Sequence, residues 1–135
     1  MGKIRVEFNK EYSETPISYW VHRELDGEYW RDASKYLPPL PSAIPSKGFP
    51  FLIIETQGIE LQFASVPEIE HFLEVISQKN MPTTNQLARE RGLTYGANRH
   101  WLSRLPAKLK PWNKREKLIP FIQKGIFELS AVYAK

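Results

Sequence analysis

The hydrophobic pattern of this chain changes period once, at Ser65, and that change restricts the fold more than any other feature. Before it, apolar and polar residues alternate. Ile4, Val6 and Phe8 stand against Lys3, Arg5 and Glu7, and Ile59, Leu61 and Phe63 face away from Glu60 and Gln62. Alternation of period two marks a half-buried strand. After Ser65 the spacing becomes three and four. Ile69, Phe72, Leu73 and Ile76 share one face, and Leu118, Ile122, Ile126, Leu129 and Tyr133 share another. Strands first and helices second predict an α+β fold, an N-terminal antiparallel β-sheet with a C-terminal helical half packed on it. With 135 residues the chain is read as a single domain, 1–135. Residues 1–65 form its β-rich, acidic part and 66–135 its helical, basic part.

Local signals refine this into about four to five strands and about four helices. The run 17–24 is rich in aromatic and β-branched residues, and Asp26-Gly27 follows it, so a hairpin returning over 28–32 is expected. Residues 36–50 contain Pro38, Pro39, Pro41, Pro45 and Pro50. Proline donates no amide hydrogen and biases its neighbour to extended geometry, so an irregular loop is expected there, with Tyr36, Leu37, Leu40 and Phe49 tucked against the sheet. A second hairpin joins 49–55 to 59–64 around Thr56-Gln57-Gly58. Ser65 and Glu68 form a capping box with Pro67 in the first turn, which opens a helix over 66–79. Thr83 and Gln86 form another, opening a helix over 84–91 that ends at Gly92. A third helix is expected over 97–105, stopping at Pro106. The fourth covers 114–132, beginning at Asn113, and Pro120 is expected to kink or split it.

Charge divides the chain as sharply as periodicity does. Residues 1–80 carry 8 Lys/Arg and 12 Asp/Glu, and residues 81–135 carry 11 and 3. The halves therefore hold −4 and +8, which sum to the net +4 of the whole chain. Opposite charge on two halves arises when the halves attract each other, or when the basic half meets phosphate.

The stretch Gln86-Leu87-Ala88-Arg89-Glu90-Arg91-Gly92-Leu93 and the helical pattern after it bear on the second possibility. Ala88, then Gly92 four residues later, then Leu93, resembles the helix-turn-helix family of DNA-binding proteins. In that family the small residue lets the second helix approach, the glycine opens the turn, and the apolar residue plugs the space between helices. The resemblance covers about twenty residues. It departs from the family pattern at Asn98, where an apolar residue is usual, and at Gly96, which weakens the start of a recognition helix. It implies DNA binding through 83–105, with Asn98, Arg99, Ser103 and Arg104 on the polar side of the second helix. Arginine bonds guanine bidentately and asparagine bonds adenine. Lys108, Lys110, Lys114 and Arg115 follow at once as candidate phosphate contacts.

Other chemistry finds little support. The chain has no cysteine and three histidines, which removes thiolate chemistry, disulfides and Cys-based zinc sites. Glu68 and His71 make one Glu-x-x-His unit where a di-metal site needs two. His22 and His100 have no sequence partner. Without a phosphate-cradling glycine loop or a nucleophile elbow, the chain is read as a non-enzyme with no cofactor and no catalytic metal. The start lacks an apolar core of signal-peptide length, and no run approaches the roughly 18 apolar residues of a membrane span. A soluble, cytoplasmic protein of bacterial type is expected. The competing functional reading is a protein-interaction adaptor. Trp20, Trp30, Trp101 and Trp112, with Tyr19, Tyr29, Tyr36 and Phe51, are many aromatics for this length. Trp30 lies near the proline loop 36–50 and Trp112 between prolines and lysines, and the sheet edge or that loop would be the binding surface.

Overall fold

A computed structural model describes residues 2–25, 30, 33–81 and 105–133. The main sheet has three antiparallel strands in the order β1 (Lys3–Asn9), β4 (Phe49–Thr56), β5 (Ile59–Phe63). Register follows the alternation: Ile4 pairs with Ile54 and Val6 with Leu52, and Leu52 and Ile54 in turn pair with Phe63 and Leu61. One sheet face thus collects Ile4, Val6, Leu52, Ile54, Leu61 and Phe63. The β4–β5 turn is made by Gln57 and Gly58, both at positive φ (52° and 76°), the geometry that matches the twist of a two-residue hairpin.

Two helices cover the apolar face. Helix α2 (Val66–Ile76) lays Ile69, Phe72, Val75 and Ile76 inward, and α3 (Trp112–Tyr133) adds Leu118, Ile122 and Leu129. At Gly125 α3 comes close to the sheet. A Cβ there would lie 2.9 Å from Ile69 Cδ1 and 3.0 Å from both Ile54 Cδ1 and Leu52 Cδ2. Phe63 and Phe72 meet edge-on with centroids 5.2 Å apart in the middle of this core. A 3-10 turn over Ala107–Leu109 buries Leu109 just before α3.

The α+β class matches the sequence reading, but among the described residues a helix stands between the first two strands, and the main sheet holds three strands where about four to five were expected. Residues 17–21 are not a strand. They belong to helix α1 (Pro16–Val21), because Pro16 suits the first helical position and the Thr15 N–H donates to Ser18 Oγ at 2.9 Å. A local cap here overrides a β-rich composition. Strand β2 is reduced to Arg23–Glu24 and pairs with β3 (Tyr36–Leu37) as a separate two-stranded ribbon. Within the expected returning strand 28–32 only Trp30 is described. The proline loop is irregular from Pro38 to Gly48, as proline chemistry requires, apart from an isolated bridge between Ile44 and Gly48. Leu37 does not tuck in but is 61% exposed. Helix α3 runs unbroken through Pro120, whose exposed position leaves the unpaired carbonyl one turn earlier open to water. The expected helices 84–91 and 97–105 lie outside the described residues, apart from Leu105.

Candidate functional site

The most completely built polar site lies at the N-terminus of α2. Ser65 is its N-cap, and Ser65 Oγ accepts from the Glu68 N–H at 3.4 Å. The Glu68 carboxylate, fully buried, turns back across the cap. Its Oε1 accepts from Thr15 Oγ1 (2.9 Å) and from the Ala64 N–H (3.2 Å), and its Oε2 from Tyr12 (2.8 Å) and Ser65 Oγ (2.9 Å). The side-chain half of the expected capping box is therefore replaced by bonds to α1 and to Ala64. His22, also fully buried, stands 3.5 Å from Glu68 Oε2. Its Nδ1 lies 2.7 Å from the Pro38 carbonyl, and its Nε2 lies 2.7 Å from Ser65 Oγ. A carbonyl only accepts, so Nδ1 carries a proton. Nε2 faces Ser65 Oγ, whose own hydroxyl proton goes to Glu68 Oε2. Burial alone pushes the Glu68 carboxyl upward, but the bonds from His22, Ala64, Tyr12 and Ser65 outweigh burial and hold it below its ordinary value. Burial, then the facing Glu68 charge, pushes the Tyr12 hydroxyl well above its ordinary range.

Serine, histidine and glutamate are the residue types of an acyl-transfer triad, but the arrangement differs from one. The carboxylate faces the same ring nitrogen as the serine, and Nδ1 is held by a backbone carbonyl. Ser65 is 1% exposed and its hydroxyl is committed to the helix cap. What the arrangement does chemically is fasten four segments together: α1, the proline loop, the end of β5 and α2.

The opposite end of α2 is closed by Arg115. This residue was read as a phosphate contact, and the geometry corrects that reading. Arg115 is buried, and its guanidinium is occupied by four backbone carbonyls. Nε donates to Lys110 O (2.7 Å), Nη1 to Ile76 O (3.0 Å) and to Gln78 O, and Nη2 to Lys79 O (3.0 Å). The group also lies over the Trp112 ring at 5.2 Å. Burial lowers its pKa, while the carbonyl dipoles at a helix C-terminus supply the negative potential a cation needs. Periodicity pointed to this place. Arg115 stands three residues before Leu118 and seven before Ile122, on the apolar face of α3.

The remaining candidate residues divide into two groups. Asn98, Arg99, Ser103 and Arg104 lie outside the described residues. Lys108 and Lys110 are exposed and Lys114 is half-buried, on and just after the 3-10 turn. They lie near the β4–β5 turn: Gln57 Nε2 donates to Lys114 O at 3.4 Å, and Lys108 Nζ would be 3.3 Å from a Cβ on Gly58. Lys117 and Lys124 are exposed further along α3. Among the described residues none of these five lysines forms an ion pair. On the outer sheet face, by contrast, Arg5 joins Glu7 (3.1 Å), Glu55 and Glu60 (3.6 Å) across all three strands.

A second surface gathers aromatic residues. Trp30 packs against Tyr19 (centroids 4.7 Å), Tyr36 (5.2 Å) and Tyr12 (6.5 Å), and its indole N–H donates to the His22 carbonyl at 2.7 Å. Tyr19, Leu25 and Leu37 are exposed near this cluster. Composition suggested Trp30 for such a surface, but the surrounding tyrosines come from three separate segments. His71 is half-buried on α2. Among the described residues no cluster of three metal-ligating side chains occurs, and no helix is long and apolar enough to cross a membrane. No family model, curated protein or solved structure matches the chain.

Proposed function

We propose that this protein is a non-enzymatic, cytoplasmic binding module whose basic half engages double-stranded DNA through residues 83–105, with Lys108, Lys110 and Lys114 as phosphate contacts. The observation that carries this reading is the contrast in charge pairing. The acidic outer face of the sheet satisfies itself through Arg5, whereas Lys108, Lys110, Lys114, Lys117 and Lys124 have no carboxylate partner among the described residues. Each phosphate neutralised releases counterions, so the logarithm of affinity falls with the logarithm of salt at about 0.9 per contact. The test is titration of a fluorescent random-sequence duplex at several salt concentrations. Three lysine contacts predict a slope near −3, and affinity insensitive to salt sinks the reading. Burial and capping of Ser65 support the non-enzymatic part.

A second reading, a protein-interaction adaptor, is favoured by the exposure of Tyr19, Leu25 and Leu37 around Trp30 and the adjoining proline loop. Exposed aromatic and aliphatic residues around a tryptophan are typical of an interface centre. Under it, Leu25→Asp with Leu37→Asp abolishes capture of a protein partner from lysate and leaves duplex titration unchanged.

A further inference from the structure

The bonds of Arg115 join two places that bracket one stretch of chain. Ile76, Gln78 and Lys79 precede residues 82–104, and Lys110 follows them. On one side Met81 packs half-buried against the core. On the other Leu105 and Leu109 are buried in it. The described chain before residue 82 and after residue 104 is thus joined by a single guanidinium, whose fork reaches both sides at once. We infer that Arg115 is a positioning residue for the segment 82–104: it sets the separation and direction of the two described chain ends that bracket that segment. The inference rests on the DNA-binding reading for its functional consequence, but not for its structural one.

Geometry rather than charge is what the site uses. Four acceptors arranged around a plane need the planar fork of arginine, and lysine offers a single compact ammonium on a flexible stem. Charge alone would be preserved by Arg115→Lys and removed by Arg115→Gln, so the pair separates the two roles. Lys110, Lys114 and the Trp112 ring are the neighbours that set the local field, and no described carboxylate faces the guanidinium.

The structural arm needs no nucleic acid. Limited trypsin digestion of the full chain, well below each variant's thermal midpoint, reads cleavage after Arg89, Arg91, Arg99 and Arg104. The inference expects Arg115→Lys and Arg115→Gln both to be cut about tenfold faster in this segment than the parent, over and above any rise after Lys117 and Lys124, which follows the global loss of stability. Equal rates in the segment overturn it. So does a uniform rise at all sites, which would make Arg115 a general stabiliser. The functional arm repeats the duplex titration. Both variants should lose about tenfold in affinity, within the range by which positions outside a contact surface alter coupling, with an unchanged salt slope. A slope reduced by about one in Arg115→Gln alone, with Arg115→Lys binding normally, assigns Arg115 to phosphate and overturns the inference. Absence of parent binding at any salt defeats the DNA reading instead, and the digestion result still decides the role of Arg115.

Discussion

The two ends of α2 are held by buried groups of opposite charge, and each end answers its charge in a different currency of hydrogen bonds. At the N-terminus the Glu68 carboxylate meets side chains: Thr15, Tyr12, Ser65 and the facing His22, with one backbone N–H from Ala64. At the C-terminus the Arg115 guanidinium meets only backbone carbonyls. Both choices agree with the helix dipole, which favours an anion at the first turn and a cation at the last. The consequences differ. Side-chain partners recruited from Tyr12, Thr15 and His22, which flank α1, make the first end a junction between distant segments. Carbonyl partners make the second a local closure of the chain on itself.

The largest effect is expected at the first end. Glu68→Ala leaves three hydroxyls and the Ala64 N–H without their acceptor and removes the carboxylate that faces buried His22, and breaking such a cluster costs about 3–5 kcal/mol. Urea unfolding followed by tryptophan fluorescence measures it, and a loss under about 1 kcal/mol would mean that the junction is wet and weak. At the second end, Arg115→Met keeps the aliphatic stem and removes the donors. The freed carbonyls of Gln78 and Lys79 lie on exposed residues and regain water, so the loss is about 2 kcal/mol, the upper range for a cation at a helix C-terminus. On α3, where it crosses the sheet, Gly125→Ala isolates packing from polar capping. Overpacking against Ile54, Leu52 and Ile69 costs about 1–3 kcal/mol, of which helix propensity returns about 1. Lys110→Ala and Lys117→Ala give the smallest change, within about 0.5 kcal/mol of stability.

How far these two ends were legible in the sequence follows from what holds them. Ser65 and Glu68 announced the start of α2 through local spacing, because a cap is a contact between near neighbours. The partners of Glu68 could not be read, since Tyr12, Thr15 and His22 reach it across some forty to sixty residues of chain. For His22 no local signal exists at all. Arg115 was open to a correct reading, because it occupies an apolar-face position of α3, but its charge and lysine neighbours drew it into a surface role. Pattern outweighs charge there. The α+β class and the β4–β5 hairpin were readable because alternation and the Gln57-Gly58 turn agree. Residues 17–21 misled because aromatic composition favours a strand, while Thr15, Pro16 and Ser18 supply a helix start.

The difference between the ends is tested most directly by their pH dependence. Glu68 has a lowered pKa in the fold, so its stabilisation is present above the ordinary carboxyl value of 4.5 and is lost as pH falls through the lower folded value. Tyr12 and His22 are the titratable groups facing it. Arg115 stays charged throughout, so its contribution is level across that range. The measurement is thermal unfolding of the parent protein, Glu68→Gln and Arg115→Met from about pH 7 down to about pH 3. The gap between parent and Glu68→Gln should be widest near neutrality and close in acid, while the gap to Arg115→Met stays constant. A Glu68→Gln gap that does not change with pH, or an Arg115→Met gap that closes in step with it, would contradict the account.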